Sequence, residues 1–227
     1  MPIKAIIFDL DGTLVKSEID FRKMKQKVVE TFNERGVPSE LVNMGETVGQ
    51  NMEMARDHMV GEGREAELES TESHIESLLS DIELDSIEHN KPIDGVEGVL
   101  HLLRGNGFRV AVLTRGSRKY AESTLRKTGL DPLIDDMICR DDYAWWESKP
   151  NGIAMERLAN RLGVEARECL FVGDHHMDLE CALRSGALFV GVLSGTYDEG
   201  MWRDKGLEML IDSAGELPDL LGELGMI

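Results

Sequence analysis

Between Ile6 and Val15 the chain reads Ile-Ile-Phe-Asp-Leu-Asp-Gly-Thr-Leu-Val. An apolar, β-branched run ends at Asp9, and Asp11 follows one residue later, ahead of Gly12 and Thr13. A short apolar run closed by a turn signal is the mark of a strand buried on both faces, as in a parallel α/β sheet. Residues two apart on a strand point the same way, so Asp9 and Asp11 share a face. Open α/β sheets bind ligands at the carboxyl edge, where this run delivers both carboxylates. Like charges at short range raise each other's pKa, so such a pair must bind a metal, share a proton or do chemistry. A plain strand end with an Asp-Gly turn has the same local sequence; the rest of the chain decides between the two.

With 227 residues the chain has room for one large domain, or a domain with an insert, and 41% apolar residues supply a core. No apolar run reaches the length of a membrane span, and the first strand begins too early to leave room for a signal peptide. Cys139, Cys169 and Cys181 are odd in number and widely spaced. They read as reduced, small apolar residues in a cytoplasmic protein rather than as disulfides or a zinc site. A net charge of −18 argues against nucleic-acid and anionic-membrane partners. It also means that an anionic substrate needs a local positive centre.

The second half alternates strand and helix patterns. Strands are expected over Phe108 to Thr114, Met137 to Cys139, Glu168 to Gly173, Leu188 to Leu193 and Met209 to Ile211. Helices are expected over Val96 to Asn106, Arg118 to Thr128, Gly152 to Leu162 and Asp178 to Ser185. That alternation indicates βαβ units and a parallel sheet. Gly107, Gly129, Gly163 and Gly186 follow the helices, where a left-handed residue is wanted. Residues 16–92 break the rhythm with no convincing strand. Arg22 to Arg35 suits one helix, Met52 and Met59 suggest another, and Leu68, Ile75 and Ile82 recur every seven residues. The nine acidic residues between Arg64 and His89 read as a solvated helix face. The fold class expected is α/β, a Rossmann-like doubly wound parallel sheet (residues 1–15 and 93–227) with an inserted all-helical unit (residues 16–92).

Four features fall at strand ends or helix starts along the expected sheet rim: Asp9 with Asp11, Thr114, Lys149 in Ser-Lys-Pro, and Gly173-Asp174-His175-His176-Met177-Asp178. In this order and placement the chain resembles the haloacid dehalogenase superfamily, phosphatase branch. Asp9, Asp11 and Thr13 match its Asp-x-Asp-x-Thr motif, Thr114 its strand-end Ser/Thr, Lys149 its lysine, and Gly173, Asp174 and Asp178 its Gly-Asp-x-x-x-Asp motif. The insert resembles the C1-type cap of phosphoglycolate phosphatases and β-phosphoglucomutases.

The resemblance implies a Mg²⁺-dependent phosphatase acting on a small phosphorylated metabolite, the cap closing over it. Asp9 is then the nucleophile, through an aspartyl-phosphate, and Asp11 the general acid and base. Thr114 and Lys149 hold the transferred phosphoryl group. Asp9, the Asp11 backbone carbonyl and Asp174 are the implied metal ligands, with Asp178 and Thr13 supporting. The physical logic agrees: a carboxylate can attack an anionic ester only if a cation offsets the repulsion, and Mg²⁺ takes carboxylate, phosphate and water oxygens. A β-phosphoglucomutase-like mutase shares every core motif and is the alternative. A Schiff-base phosphonatase would need one of Lys16, Lys23, Lys25 or Lys27 in the cap. A receiver-like phosphoacceptor would carry no insert after its first strand.

Several positions depart from the family pattern. Lys16-Ser17 stands where many relatives place an acid then Ser. Arg115-Gly116 follows Thr114, and these two are the candidates for substrate binding, Arg115 through its planar fork; an ion pair with a nearby acid is the competing role for Arg115. Tyr143, Trp145 and Trp146 precede Lys149, and packing is the expected role of the tryptophans. His175 and His176 follow Asp174, but histidine prefers softer metals than Mg²⁺.

Overall fold

The structure, a computed structural model, describes residues 2–227. The chain divides into two compact units, one running up to Ser17 and resuming over His89–Ile227, the other Glu18–Glu88. These boundaries fall a few residues inside the 16–92 expected from sequence.

The first unit opens with β1 (Ala5–Phe8) and the two-residue β2 (Val15–Lys16). The second unit is helical: α1 (Phe21–Glu34), α2 (Val48–Gly61) and α3 (Glu65–Ser86). Each contributes an apolar stripe, with Met24, Val28 and Phe32 from α1, Met52, Ala55 and Met59 from α2, and Leu68, Ile75, Leu79 and Ile82 from α3 all buried. Asp20 and Thr47 cap α1 and α2 through their side chains. Arg56 ties α2 to α3 with two hydrogen bonds to Glu72, at 2.8 and 3.0 Å.

The first unit then resumes with β3 (Lys91–Pro92), α4 (Val96–Gly105), β4 (Arg109–Leu113), α5 (Arg118–Thr128), β5 (Asp136–Ile138) and α6 (Gly152–Leu162). It ends with β6 (Cys169–Gly173), α7 (His176–Ser185), β7 (Leu188–Val192), α8 (Glu199–Asp204), β8 (Leu210–Ile211) and α9 (Leu217–Glu223). Six strands form one parallel sheet in the order β5-β4-β1-β6-β7-β8. β1 is therefore central, and the chain runs outward on one side before crossing to the other. That reversal makes a crevice at the carboxyl end of β1.

Every residue of β1 is fully buried because helices cover both faces of the sheet. On one face Ala5, Ile7, Leu113, Cys169, Phe171 and Phe189 pack against Met155, Leu158 and Ala159 of α6 and Leu179 and Ala182 of α7. Gly129 and Gly163 close α5 and α6 with φ of 76° and 75°. The expected strands and helices of this unit are present, most within one or two residues of their expected ends. The exception to the strandless reading of 16–92 is at its ends, where Val15–Lys16 and Lys91–Pro92 pair antiparallel. A two-residue ladder is too short to leave a period in the sequence. We expect Leu158→Ala to cost about 2–5 kcal/mol, read as a lowered urea midpoint; an unchanged midpoint would contradict this packing.

Candidate active site

The site is built from chain ends that the parallel sheet brings together. Asp9 sits one residue beyond β1 and is still paired to β6, its N–H donating to the Val172 carbonyl at 2.9 Å. Thr114 likewise extends β4 onto β5, its N–H donating to the Ile138 carbonyl at 3.0 Å. Asp174 follows β6 directly, and Asp178 is on the first turn of α7. Lys149 arrives from the loop before α6, followed by a cis peptide to Pro150. All five are buried despite being polar or charged. Buried charges persist only when paired or when they bind ions.

Lys149 bridges two of the acids. Its ammonium donates to Asp9 and, at 2.7 Å, to Asp178, and it lies 5.5 Å from the centre of the Phe171 ring. An ammonium has three donors, so one remains beyond these two contacts. Asp178 uses both oxygens, since the other accepts the His175 N–H at 3.1 Å and completes a capping box at the start of α7. Asp174 is anchored by its backbone carbonyl, which accepts from the Tyr197 N–H, and by a carboxylate oxygen 2.6 Å from the Thr196 nitrogen. Space for it comes from glycine. A Cβ at Gly12, where φ is +82°, would lie 2.7 Å from an Asp174 oxygen, and a Cβ at Gly195 would overlap the same carboxylate.

Burial dominates the electrostatics. It raises the pKa of Asp9 well above the carboxylate norm; Lys149 opposes this, while Asp178, Asp174 and Asp11 reinforce it. Burial raises Asp174 as well, with Asp178 adding to the effect. Burial works against the Lys149 ammonium, but Asp178 and Asp9 outweigh it and its pKa lies above the ordinary value. The site thus holds more negative charge than its own cation balances.

Thr114 accepts the Gly116 N–H at 2.9 Å, so its hydroxyl proton points elsewhere and can serve an anion. Thr13 is fully buried with no hydrogen-bond partner for its hydroxyl oxygen. Asp11 is half-buried and lies apart from the three clustered acids; its carboxylate accepts the Tyr120 phenol at 2.6 Å. Tyr120 was not singled out from sequence. Its signal was slight: a bulky aromatic in the first turn of an otherwise polar helix.

Arg115 donates to the Lys149 carbonyl at 3.2 Å and the Met177 sulfur at 3.1 Å, and lies 4.9 Å over Trp145. These contacts brace the loop carrying Lys149. Gly116 is hemmed in: its carbonyl accepts the Arg140 N–H at 3.1 Å, and a Cβ there would meet the Tyr120 ring at 2.8 Å. The Trp145 ring has the Arg115 and Arg140 guanidinium groups 4.9 and 5.9 Å from its centre, whereas Trp146 is 56% exposed. His175 caps α7 by accepting the Met177 N–H, and His176 pairs with the Tyr197 hydroxyl at 2.8 Å. Burial lowers the pKa of both, His175 to about 4. All three cysteines are free and buried, and burial pushes each thiol up to about 12.

Residues 3–186 match the family profile of the haloacid dehalogenase-like hydrolases. The chain belongs to that family. It is an enzyme of the family's phosphatase kind. It is 27% identical over 198 residues to a phosphoglycolate phosphatase of Neisseria gonorrhoeae, covering 86% of this chain and 82% of that protein. It is 28% identical over 222 residues to a phosphoglycolate phosphatase of Rhodospirillum rubrum, covering 96% and 91%. Its fold matches the crystal structure of a hydrolase from Pseudomonas syringae with a TM-score of 0.68 at 24% identity, covering 98% of this chain and 99% of that one.

The donor set of this hydrolase fits a hard cation. Asp9, Asp174 and Asp178 offer carboxylate oxygens within 4.8 Å of one another, the one such group of three among the described residues. Oxygen-only ligation suits Mg²⁺ or Ca²⁺ rather than zinc or copper. Lys149 pairs with Asp9 and Asp178 but not with Asp174; with all three acids ionised, the excess of two negative charges is what a dication would cancel. Lys149→Met should therefore destabilise the metal-free protein by about 3–5 kcal/mol, since it strips buried acids of their partner. Added Mg²⁺ should then raise the thermal midpoint of the variant more than that of the parent. Equal Mg²⁺ shifts in the two proteins would contradict this balance of charge.

Proposed function

We propose that this enzyme hydrolyses a small phosphomonoester with Mg²⁺ through an aspartyl-phosphate on Asp9. The observation that carries the reading is the buried Asp9, Asp174 and Asp178 cluster with Lys149 at the carboxyl end of the central strand. Asp9, the Asp11 backbone carbonyl and Asp174 would hold the ion, with Asp178 holding Lys149. When bound, the ion neutralises the anionic ester and the acids around it.

The chain's own residues supply the rest. An Asp9 oxygen bonds to phosphorus as the ester P–O bond breaks, and that electron pair leaves on the alcohol oxygen. Asp11 gives this oxygen its proton. The Thr114 hydroxyl and the remaining Lys149 donor hold the phosphoryl oxygens as their charge redistributes. Asp11, now ionised, takes a proton from water; the water oxygen attacks phosphorus, inorganic phosphate departs, and the Asp9 carboxylate is restored.

Phosphoglycolate is the first substrate to try, because both phosphatase relatives carry its name. Inorganic phosphate should appear from it, or from another small phosphomonoester in a metabolite panel, with Mg²⁺ and not with EDTA. A returned isomer in place of free phosphate would make the enzyme a mutase. Asp9→Asn should abolish turnover, and substantial activity in that variant would overturn the covalent route. Asp11→Asn should slow turnover by about 10²–10⁴-fold, the usual worth of general acid–base help.

A further inference from the structure

Resting on that reading, we infer that Tyr120 is a positioning residue for the proton-transfer group Asp11, set in turn by Asn90. The Tyr120 hydroxyl donates to Asp11 Oδ1 at 2.6 Å. The Asn90 side-chain nitrogen donates to the same hydroxyl at 3.0 Å and to the Thr124 hydroxyl at 2.9 Å. Asn90, Tyr120 and Thr124 are all buried. A phenol has one proton to give. Because its oxygen already accepts from Asn90, that proton is committed to Asp11. Burial, and next the Asp11 carboxylate, raise the pKa of Tyr120, so it stays a neutral donor.

The ring itself is seated. It is fully buried in the first turn of α5 and packs so closely on Gly116 that a Cβ there would lie 2.8 Å away. Asp11 stands at the turn out of β1, where no ladder hydrogen bond of the main sheet reaches it. A proton donor must sit within hydrogen-bond reach of the leaving oxygen, so a half-buried carboxylate on a turn needs an external fix on its rotamer. The phenol's hold on Oδ1 orients the carboxyl for the reaction.

The test separates esters by leaving group. An alkyl phosphate expels an alkoxide that needs the proton; p-nitrophenyl phosphate expels a phenolate that does not. kcat/KM reports steps only as far as departure of the alcohol, so hydrolysis of the aspartyl-phosphate does not enter. With Mg²⁺ present, Tyr120→Phe keeps the ring and loses the hydroxyl. It should lower kcat/KM for the alkyl ester about 10- to 100-fold, the worth of one hydrogen bond to a charged group, and leave the aryl ester near the parent value. Asn90→Ala should show the same skew, more weakly. Equal losses on both esters, or no loss on either, would overturn the role of Tyr120 while leaving the phosphatase intact. A parent protein that cleaves neither ester nor any metabolite would overturn the phosphatase reading itself, and this inference with it.

Discussion

This site rests on the burial of carboxylates beside one another. Asp9, Asp174 and Asp178 are held within 4.8 Å of one another and almost wholly out of water. Solvent cannot screen them there, and each raises the cost of ionising its neighbours. One ammonium, Lys149, sits among them. The raised pKa of Asp9 comes first from burial, with Lys149 opposing it and the neighbouring acids adding to it. A dication would offset the acids and keep Asp9 ionised, as the proposed nucleophile must be.

The fold meets this electrostatic cost with rigid supports. The acids and Lys149 come from sequence positions as far apart as 9 and 178, and the parallel sheet converges them by ending its strands on one rim. Around them the backbone takes up the hydrogen bonds that solvent would have made. The N-terminus of α7 engages Asp178, and the chain at 196–197 engages Asp174. Gly12 and Gly195 keep side chains out of the space Asp174 occupies. None of these contacts adds much to stability alone, yet each removes a way for the repelling groups to move apart.

Much of this was legible in the sequence. Phe8 and its neighbours announce a strand because they are continuously apolar, and a strand buried on both faces admits no other pattern. The helix ends at Gly129 and Gly163 were legible because only a few residues tolerate the left-handed turn. Asp9, Thr114 and Asp174 stood out as polar residues where apolar runs stop, and Lys149 as the lysine of Ser-Lys-Pro ahead of a helix. What sequence could not convey is direction. For Arg115 the sequence left substrate binding and an ion pair both open; its guanidinium donates to the Lys149 carbonyl and lies over Trp145. Tyr120 carries no such mark, since nothing in a helical period says where a phenol oxygen ends. The pairing of Val15–Lys16 with Lys91–Pro92 joins segments separated by the whole helical insert, and four residues carry no period.

The two aspartates at the end of β1 are chemically alike and two residues apart, yet their partners differ in kind. Asp9 faces an ammonium and two further acids. Asp11 lies outside that group of three, and one of its carboxylate oxygens accepts from a neutral phenol. A charged partner favours the ionised carboxylate wherever a cation outweighs the other acids; a neutral donor is compatible with either protonation state. The proposed division of nucleophile and proton carrier between two chemically identical groups requires surroundings that differ in this way. The net charge of −18 does not disturb the division. Exposed charges are screened beyond about 8 Å at physiological ionic strength, so an incoming phosphate meets the local balance at the sheet rim rather than the average charge of the surface.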